Sequence, residues 1–424
     1  MSQAWLALAI FLICYGIIIS EKINRSIIAM VGGVAMVLFG LVTQESALHH
    51  IDWNTIGLLV GMMILVAVLM ETGVFEWIGY RLVQAVRGEP KRLFFALCLL
   101  TAFLSAFLDN VTTVLVTVPL SFAVTRSLQL NVMPFLIGQI LASNIGGTAT
   151  LIGDPPNIMI GGSVPELTFM AFLVNLGPIA LIVLLVILPI LMWMYRDQFR
   201  AGASKYDPDE FAARPLKAQQ RKLLWKAGFV FGLTIAGFLI HNLLHLESAT
   251  IALAGAFLLM LISGEAVFHR AIKHVEWEMI LFFVGLFVLV GGLVDTGIIK
   301  VVADQIMAWT GGDEWLLTVT ILWMSGILSG IIDNIPYVAT LIPMVKEIGA
   351  MGVTNLEPIW WSLALGACLG GNATIIGAFA NVIVSGIAAR EGEPIRFWAY
   401  LKIAFPLTMI MLVLCHVYLW IRYF

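Results

Sequence analysis

The sequence predicts an all-α polytopic membrane protein made of two inverted repeats, each with five transmembrane helices and one re-entrant helical hairpin, and with interrupted helices at the midplane. Three observations lead there. The 424 residues are 61% hydrophobic and 12% charged, whereas a soluble globule has an apolar share of about 50%. Apolar runs at 4–20, 26–43, 55–70, 168–195, 226–240, 249–263, 278–294 and 397–419 approach or exceed the roughly 20 residues that cross a bilayer. Finally, the halves read alike at a constant offset of 224 residues. Leu108-Asp109-Asn110-Val111 returns as Ile332-Asp333-Asn334-Ile335, and Pro119 as Pro343. Gly146-Gly147-Thr148-Ala149-Thr150-Leu151-Ile152-Gly153 returns as Gly370-Gly371-Asn372-Ala373-Thr374-Ile375-Ile376-Gly377, and Asn157 as Asn381. The register extends back to Trp53 and Trp277, and to Gly61 and Gly285.

Taken in order, residues 4–20 read as a first span rather than a signal peptide. The stretch before them lacks a basic n-region, and no small-residue cleavage site follows. Spans at 26–43 and 55–71 lead to an amphipathic stretch at 74–88. An interrupted segment at 93–125 comes next, then a second at 133–162, then a long span at 166–195. The arms of the first interrupted segment, 95–108 and 111–125, are each about 21 Å long at 1.5 Å per residue. That is short of a ~30 Å hydrocarbon core. The segment is therefore expected to be a re-entrant hairpin with Asp109-Asn110 at its tip, two short tilted spans being the alternative. The hydrophilic linker 196–222 joins this half, 1–195, to its copy, 223–424.

Five crossings per half turn the second copy upside down. Basic residues give an independent check, because cytoplasmic loops collect Lys and Arg. In the first half, loops 21–25 (Lys22, Arg25) and 81–92 (Arg81, Arg87, Lys91, Arg92) are basic, while 41–54 and 161–168 have no Lys or Arg. In the second half the bias swaps to 265–276 (Arg270, Lys273) and 389–396 (Arg390, Arg396). Both arguments place the amino terminus outside and the linker inside.

Ionisable side chains at bilayer depth cost at least about 2.5–3.5 kcal/mol and persist mainly along a pathway. Asp109 and Asp333 each stand between apolar arms and are followed by Asn. Each also has the residue type and position of a helix cap. The second break, Gly146 to Asn157, gathers Thr148, Thr150, Asp154 and Pro155-Pro156, which cannot continue a helix. Its copy replaces Thr148 with Asn372 and Asp154-Pro155-Pro156 with Ala378-Phe379-Ala380. Irregular backbone at such depth is tolerated only against protein or a wet cavity. Paired, interrupted, duplicated segments are the sequence mark of a secondary transporter. No Lys or Arg occurs between 93 and 125, 127 and 195, 301 and 345, or 347 and 389. A neutral or cationic solute, or proton exchange, is expected over a multivalent anion. The four scattered cysteines fit neither a metal knuckle nor a disulfide framework. No cofactor, metal or nucleic acid is implied, and no enzyme motif stands out. Glu71 and Asp295 read as interfacial helix ends, and Trp53 and Trp277 as interface anchors.

The strings from Asp109 to Thr113 and from Asn144 to Asn157 resemble the ion transporter superfamily. They look closest to its arsenical-pump branch, which groups arsenite efflux proteins with the melanosomal P protein. The resemblance spans nearly the whole chain. Divalent-anion relatives carry a Ser-Asn-Thr word where this chain has Asp109-Asn110-Val111 and Asp333-Asn334-Ile335. It implies proton-coupled efflux of arsenite or antimonite across the inner membrane, with a Na⁺/H⁺ antiporter as the alternative and an anion carrier as a third reading. The coupling carboxylates would be Asp109, Asp333 and Asp154. Asn110, Thr112, Gly147, Thr148, Thr150 and Asn157 would bind solute, with Asn334, Gly371, Asn372, Thr374 and Asn381 from the copy. An elevator-like motion is implied as well, with scaffolds 1–90 and 223–312 and transport units 93–195 and 314–421. A homodimer and a cytoplasmic ATPase partner stay open.

Overall fold

The apolar runs become α-helices separated by polar or glycine-rich corners in a computed structural model that describes residues 2–20, 22–200, 216–241 and 244–424. Among these residues there is no strand. The first repeat comprises α1 (Ser2–Ser20), α2 (Arg25–Leu38), the short α3 (Gln44–His50), α4 (Trp53–Glu71), α5 (Val74–Val86), α6 (Pro90–Phe107), α7 (Asn110–Ser127), α8 (Met133–Thr148), α9 (Pro155–Ser163) and α10 (Phe169–Met194). The second comprises α11 (Ala218–Ile240), α12 (Ser248–Ser263), α13 (Glu265–Lys273), α14 (Trp277–Asp295), α15 (Ile298–Thr310), α16 (Glu314–Ser329), α17 (Asn334–Ala350), α18 (Glu357–Gly370), α19 (Phe379–Arg390) and α20 (Phe397–Tyr423). Element for element the halves correspond. Most of the predicted linker, 201–215, lies outside the described residues.

Seven of these helices are long and apolar enough to cross a membrane: α1, α4, α6, α10, α11, α14 and α20. The hairpin arms are longer than expected. Both α6 and α7 have 18 residues, or about 27 Å. Helix α6 starts at Pro90, where a missing N–H costs nothing in a first turn. It thereby draws the basic pair Lys91-Arg92, expected in a loop, into the helix and lies across the predicted unit boundary at 93. Helix α7 runs on through Thr125 and Ser127, whose polarity suits the far end of an arm.

The repeats are exchanged rather than set side by side. Helix α2 packs on α14, and α4 on α12. Small residues allow both crossings, as expected where no hydrophobic effect drives helices together within lipid. A Cβ added at Gly61 would lie 2.6 Å from the backbone carbon of Ala252, and one at Gly285 would strike the Ala29 backbone. Within each repeat, α6 packs on α8 through Gly146 against Ala102, and α16 on α18 through Gly370 against Gly326. Glu71, at the end of α4, pairs with Arg270 at 2.9 Å. Its counterpart Asp295 accepts hydrogen bonds from Ser46 at 2.8 Å and pairs with His50 at 2.9 Å. These helix ends are fastened to the short helices α13 and α3.

Candidate functional site

Both breaks are built alike. Helix α8 ends at Thr148, residues 149–154 are non-helical, and Pro155-Pro156 open α9. Residue 147 must be glycine, because a Cβ there would meet the Gly153 carbonyl oxygen at 2.6 Å. The Asn157 amide donates to the carbonyls of Gly147 (3.4 Å), Thr148 (3.1 Å) and Thr150 (2.8 Å). In the copy, Asn381 donates to Gly371 (2.8 Å) and Thr374 (2.9 Å). The Thr150 hydroxyl donates to the Ala106 carbonyl, and that of Thr374 to Gly330 at 2.6 Å. Each break is thus strapped to the neck of its own hairpin. Thr148 turns its hydroxyl to the Asn144 carbonyl one turn back, at 2.7 Å.

Where α8 and α18 cross, the two breaks meet. The Asn144 amide donates at 2.9 Å to both Asn372 Oδ1 and Asn381 Oδ1. Its register partner Cys368 donates Sγ–H to Asn157 Oδ1 at 3.5 Å. All five residues are fully buried. The cluster is a pseudo-twofold joint in which asparagine has been exchanged for cysteine on one side.

The hairpin tips approach this joint. Asp109 caps α7, accepting from the Thr112 N–H at 2.8 Å and the Thr112 hydroxyl at 2.6 Å. The Asn110 amide donates to Asp154 Oδ1 at 3.2 Å and Asn144 Oδ1 at 3.4 Å. Asp154 Oδ2, Asn110 Oδ1 and Asn334 Nδ2 are buried with no hydrogen-bond partner. Asp154 lies close enough to Asp109 and Asp333 to feel the charge of both. Asp333 caps α17 through the Ile335 N–H at 3.0 Å and also takes a 2.8 Å ion pair from Arg25.

That ion pair corrects the expectation of a site without a cation. The stretches 93–125, 127–195, 301–345 and 347–389 do lack Lys and Arg, but α2 carries one in from outside them. Arg25 is not a solvated loop charge. It is the first residue of α2, and its guanidinium lies 3.8 Å from the Phe379 ring centroid and 4.9 Å from that of Phe282. No recurrence in the sequence pointed to it: its register partner is Ala249, so the charge is private to one repeat.

A cavity of about 690 Å³ opens at this tip, with Arg25, Asp333, Asn24, Glu276 and Glu278 as its polar lining and isoleucines and Phe379 over much of the rest. Residues 23–25 and 275–279 line it, at the loops 21–25 and 265–276 expected to be cytoplasmic. Glu276 stands just ahead of α14. Burial pushes its carboxyl up to about 7, the charge of Asp109 adding to the effect and that of Arg25 opposing it. Among the described residues, no group of three or more His, Cys, Asp or Glu is placed to hold a metal ion.

Residues 15–366 match the CitMHS family, described as citrate transporters. The chain belongs to that family. Among its relatives is an uncharacterized transporter of Mycobacterium tuberculosis strain H37Rv, 41% identical over 99% of this chain and 98% of its own length. A 46 kDa membrane protein of Mycobacterium leprae is 39% identical over 99% and 98%. The P protein of Mus musculus is 32% identical over 96% of this chain and 59% of its own, longer sequence. The crystal structure of the Alcanivorax borkumensis YdaH transporter shares the fold, with a TM-score of 0.59, 15% identity, and 99% and 98% coverage. The chain is therefore a multi-pass membrane transporter of the ion transporter superfamily, with the P protein among its kin.

Proposed function

We propose that this transporter extrudes arsenite or antimonite across the cytoplasmic membrane in exchange for protons. One observation carries the reading: Asp109, Asp154 and Asp333 converge beside a joint of amides and hydroxyls, and among the described residues the guanidinium there, that of Arg25, is already bound to Asp333. A multivalent carboxylate such as citrate would meet three acids and, among the described residues, no free cation. A small neutral trihydroxide instead offers O–H donors to acidic oxygens and accepts from amides. Asp109 and Asp154 exchange protons, while Asn110, Thr112, Asn334, Asn372 and the backbone beside Gly147, Gly371, Thr148, Thr150 and Thr374 hold the solute. Asn157 and Asn381 keep those backbones open.

A second reading, Na⁺/H⁺ antiport, draws support from Asp154 Oδ2 and Asn110 Oδ1, since unpartnered buried oxygens are the ligand type a hard cation takes. Everted vesicles separate the two. Labelled arsenite should accumulate under an imposed pH gradient, and Na⁺ pulses should leave a pH dye unchanged; the reverse pattern overturns the arsenite assignment in favour of antiport. Asp109→Asn should abolish coupled flux while the protein still folds, because asparagine caps a helix as well as aspartate. A variant that pumps at the parental rate would remove Asp109 from the mechanism.

A further inference from the structure

We propose that Arg25 is the resident counter-cation of Asp333: a guanidinium on α2, bonded to the tip of α17, that fills the cation position at one hairpin and leaves ion exchange to Asp109 and Asp154. The proposal rests on the carrier reading above and deepens it.

The first support is geometric. The guanidinium–carboxylate contact is 2.8 Å, and both side chains are less than a fifth exposed. Charge-assisted bonds of this kind are among the stronger ones. The guanidinium also lies against the Phe282 and Phe379 rings, which fixes its plane and keeps its charge weakly hydrated. Breaking the pair would leave Asp333 with the Ile335 N–H as its remaining partner and would strand a cation between two rings.

The second support is the broken symmetry. Arg25 has Ala249 as its register partner, and Asp109 has Thr112 alone among its side-chain partners. Asp154 has Ala378 as its counterpart. One repeat has therefore gained an acid at its break, and that same repeat lends a base to the opposite tip. The tips share a sequence word and differ in charge state: Asp333 is neutralised from within, and Asp109 is not.

The third support is mechanical. Helix α2 packs on α14, whereas the carboxylate belongs to the α16–α17 hairpin. The ion pair bridges these bodies and must part if the hairpin moves past α2. Neutralising Asp333 and holding the hairpin against α2 are then the same contact.

The test uses the full-length protein in membrane vesicles. Val382→Cys, on α19 at the cavity wall, supplies a thiol whose labelling by a membrane-impermeant maleimide needs no solute; the parent lacking it sets the background. Arg25→Gln and Asp333→Asn should each change the labelling rate at least threefold in the same direction. The double variant should go no further than either, and Arg25→Lys should lie near the parent. Additive effects, or no change in Arg25→Gln, would overturn the proposal. In proteoliposomes loaded with arsenite and a pH dye, Arg25→Gln should raise the protons moved per arsenite, and Arg25→Gln/Asp333→Asn should return that ratio to the parental value. An unchanged ratio in Arg25→Gln overturns the proposal too. If the parent moves no arsenite, the solute assignment fails and the labelling series decides the ion pair alone.

Discussion

Asn157 illustrates how one side chain can keep a backbone irregular. Its amide reaches three carbonyls that the helix has abandoned, and its own oxygen is met by Cys368. Leaving a buried acceptor unpaired costs about 1–3 kcal/mol. Asn157→Ala should therefore lower the melting temperature in detergent by several degrees; equal melting of variant and parent would mean that water replaces the amide. Glu276 gives a prediction in pH. Its carboxyl titrates near 7 in the folded protein against an ordinary 4.5, so the folded state binds more protons between those values. Its ionisation costs stability progressively as pH rises through that window, and fully above it. Glu276→Gln should melt higher than the parent at pH 8, with the gap closing toward pH 5. A gap independent of pH would show that Glu276 is not the titrating group. Asp109, Asp333, Asp154 and Asn157 could be found from sequence because they recur or interrupt apolar runs. Arg25 could not, since a basic residue before a span looks like a topology signal until α17 is folded against it.

Helices here are bounded by chemistry readable in one dimension and packed by contacts that are not. The breaks fall where Pro155-Pro156 and the glycine words lie, as expected. The arms outrun their expected bounds because helix formation outlasts hydrophobicity: Lys91 and Arg92 extend the first, and Arg126 and Ser127 the second, with polar residues. The duplicated glycines look alike on paper, yet each has a specific neighbour. At Gly61 the neighbour is rigid Ala252 backbone, so Gly61→Val should push α4 from α12 and sharply reduce the folded yield. Gly228→Ala on α11, with nothing within 4 Å of an added Cβ, should express normally. Comparing the two by size-exclusion chromatography tests whether close approach or generic glycine loss matters. Equal behaviour would refute the packing argument.

For the whole molecule, inverted duplication accounts for the fold. The offset of 224 residues maps nearly every helix onto its copy, and the swapped loop charges agree with an odd number of crossings. A cysteine at exposed His49 should label only from outside intact cells, and one at exposed Lys273 only from inside. Labelling of both from one face would refute the inverted arrangement. The exchange of α2 onto α14 and of α4 onto α12 was invisible beforehand, because periodicity reports an apolar face and not its partner.

That exchange bears on how the protein is made. While the ribosome is still translating the first 195 residues, α2 and α4 are already in the bilayer without the helices they are shaped to meet. They must wait through the synthesis of the linker and α11 before α12 arrives, and longer for α14. A nascent first half is thus an open clasp, dependent on lipid or insertase for cover, and a chain stopped at the linker would present unsatisfied crossings to the membrane's quality-control proteases.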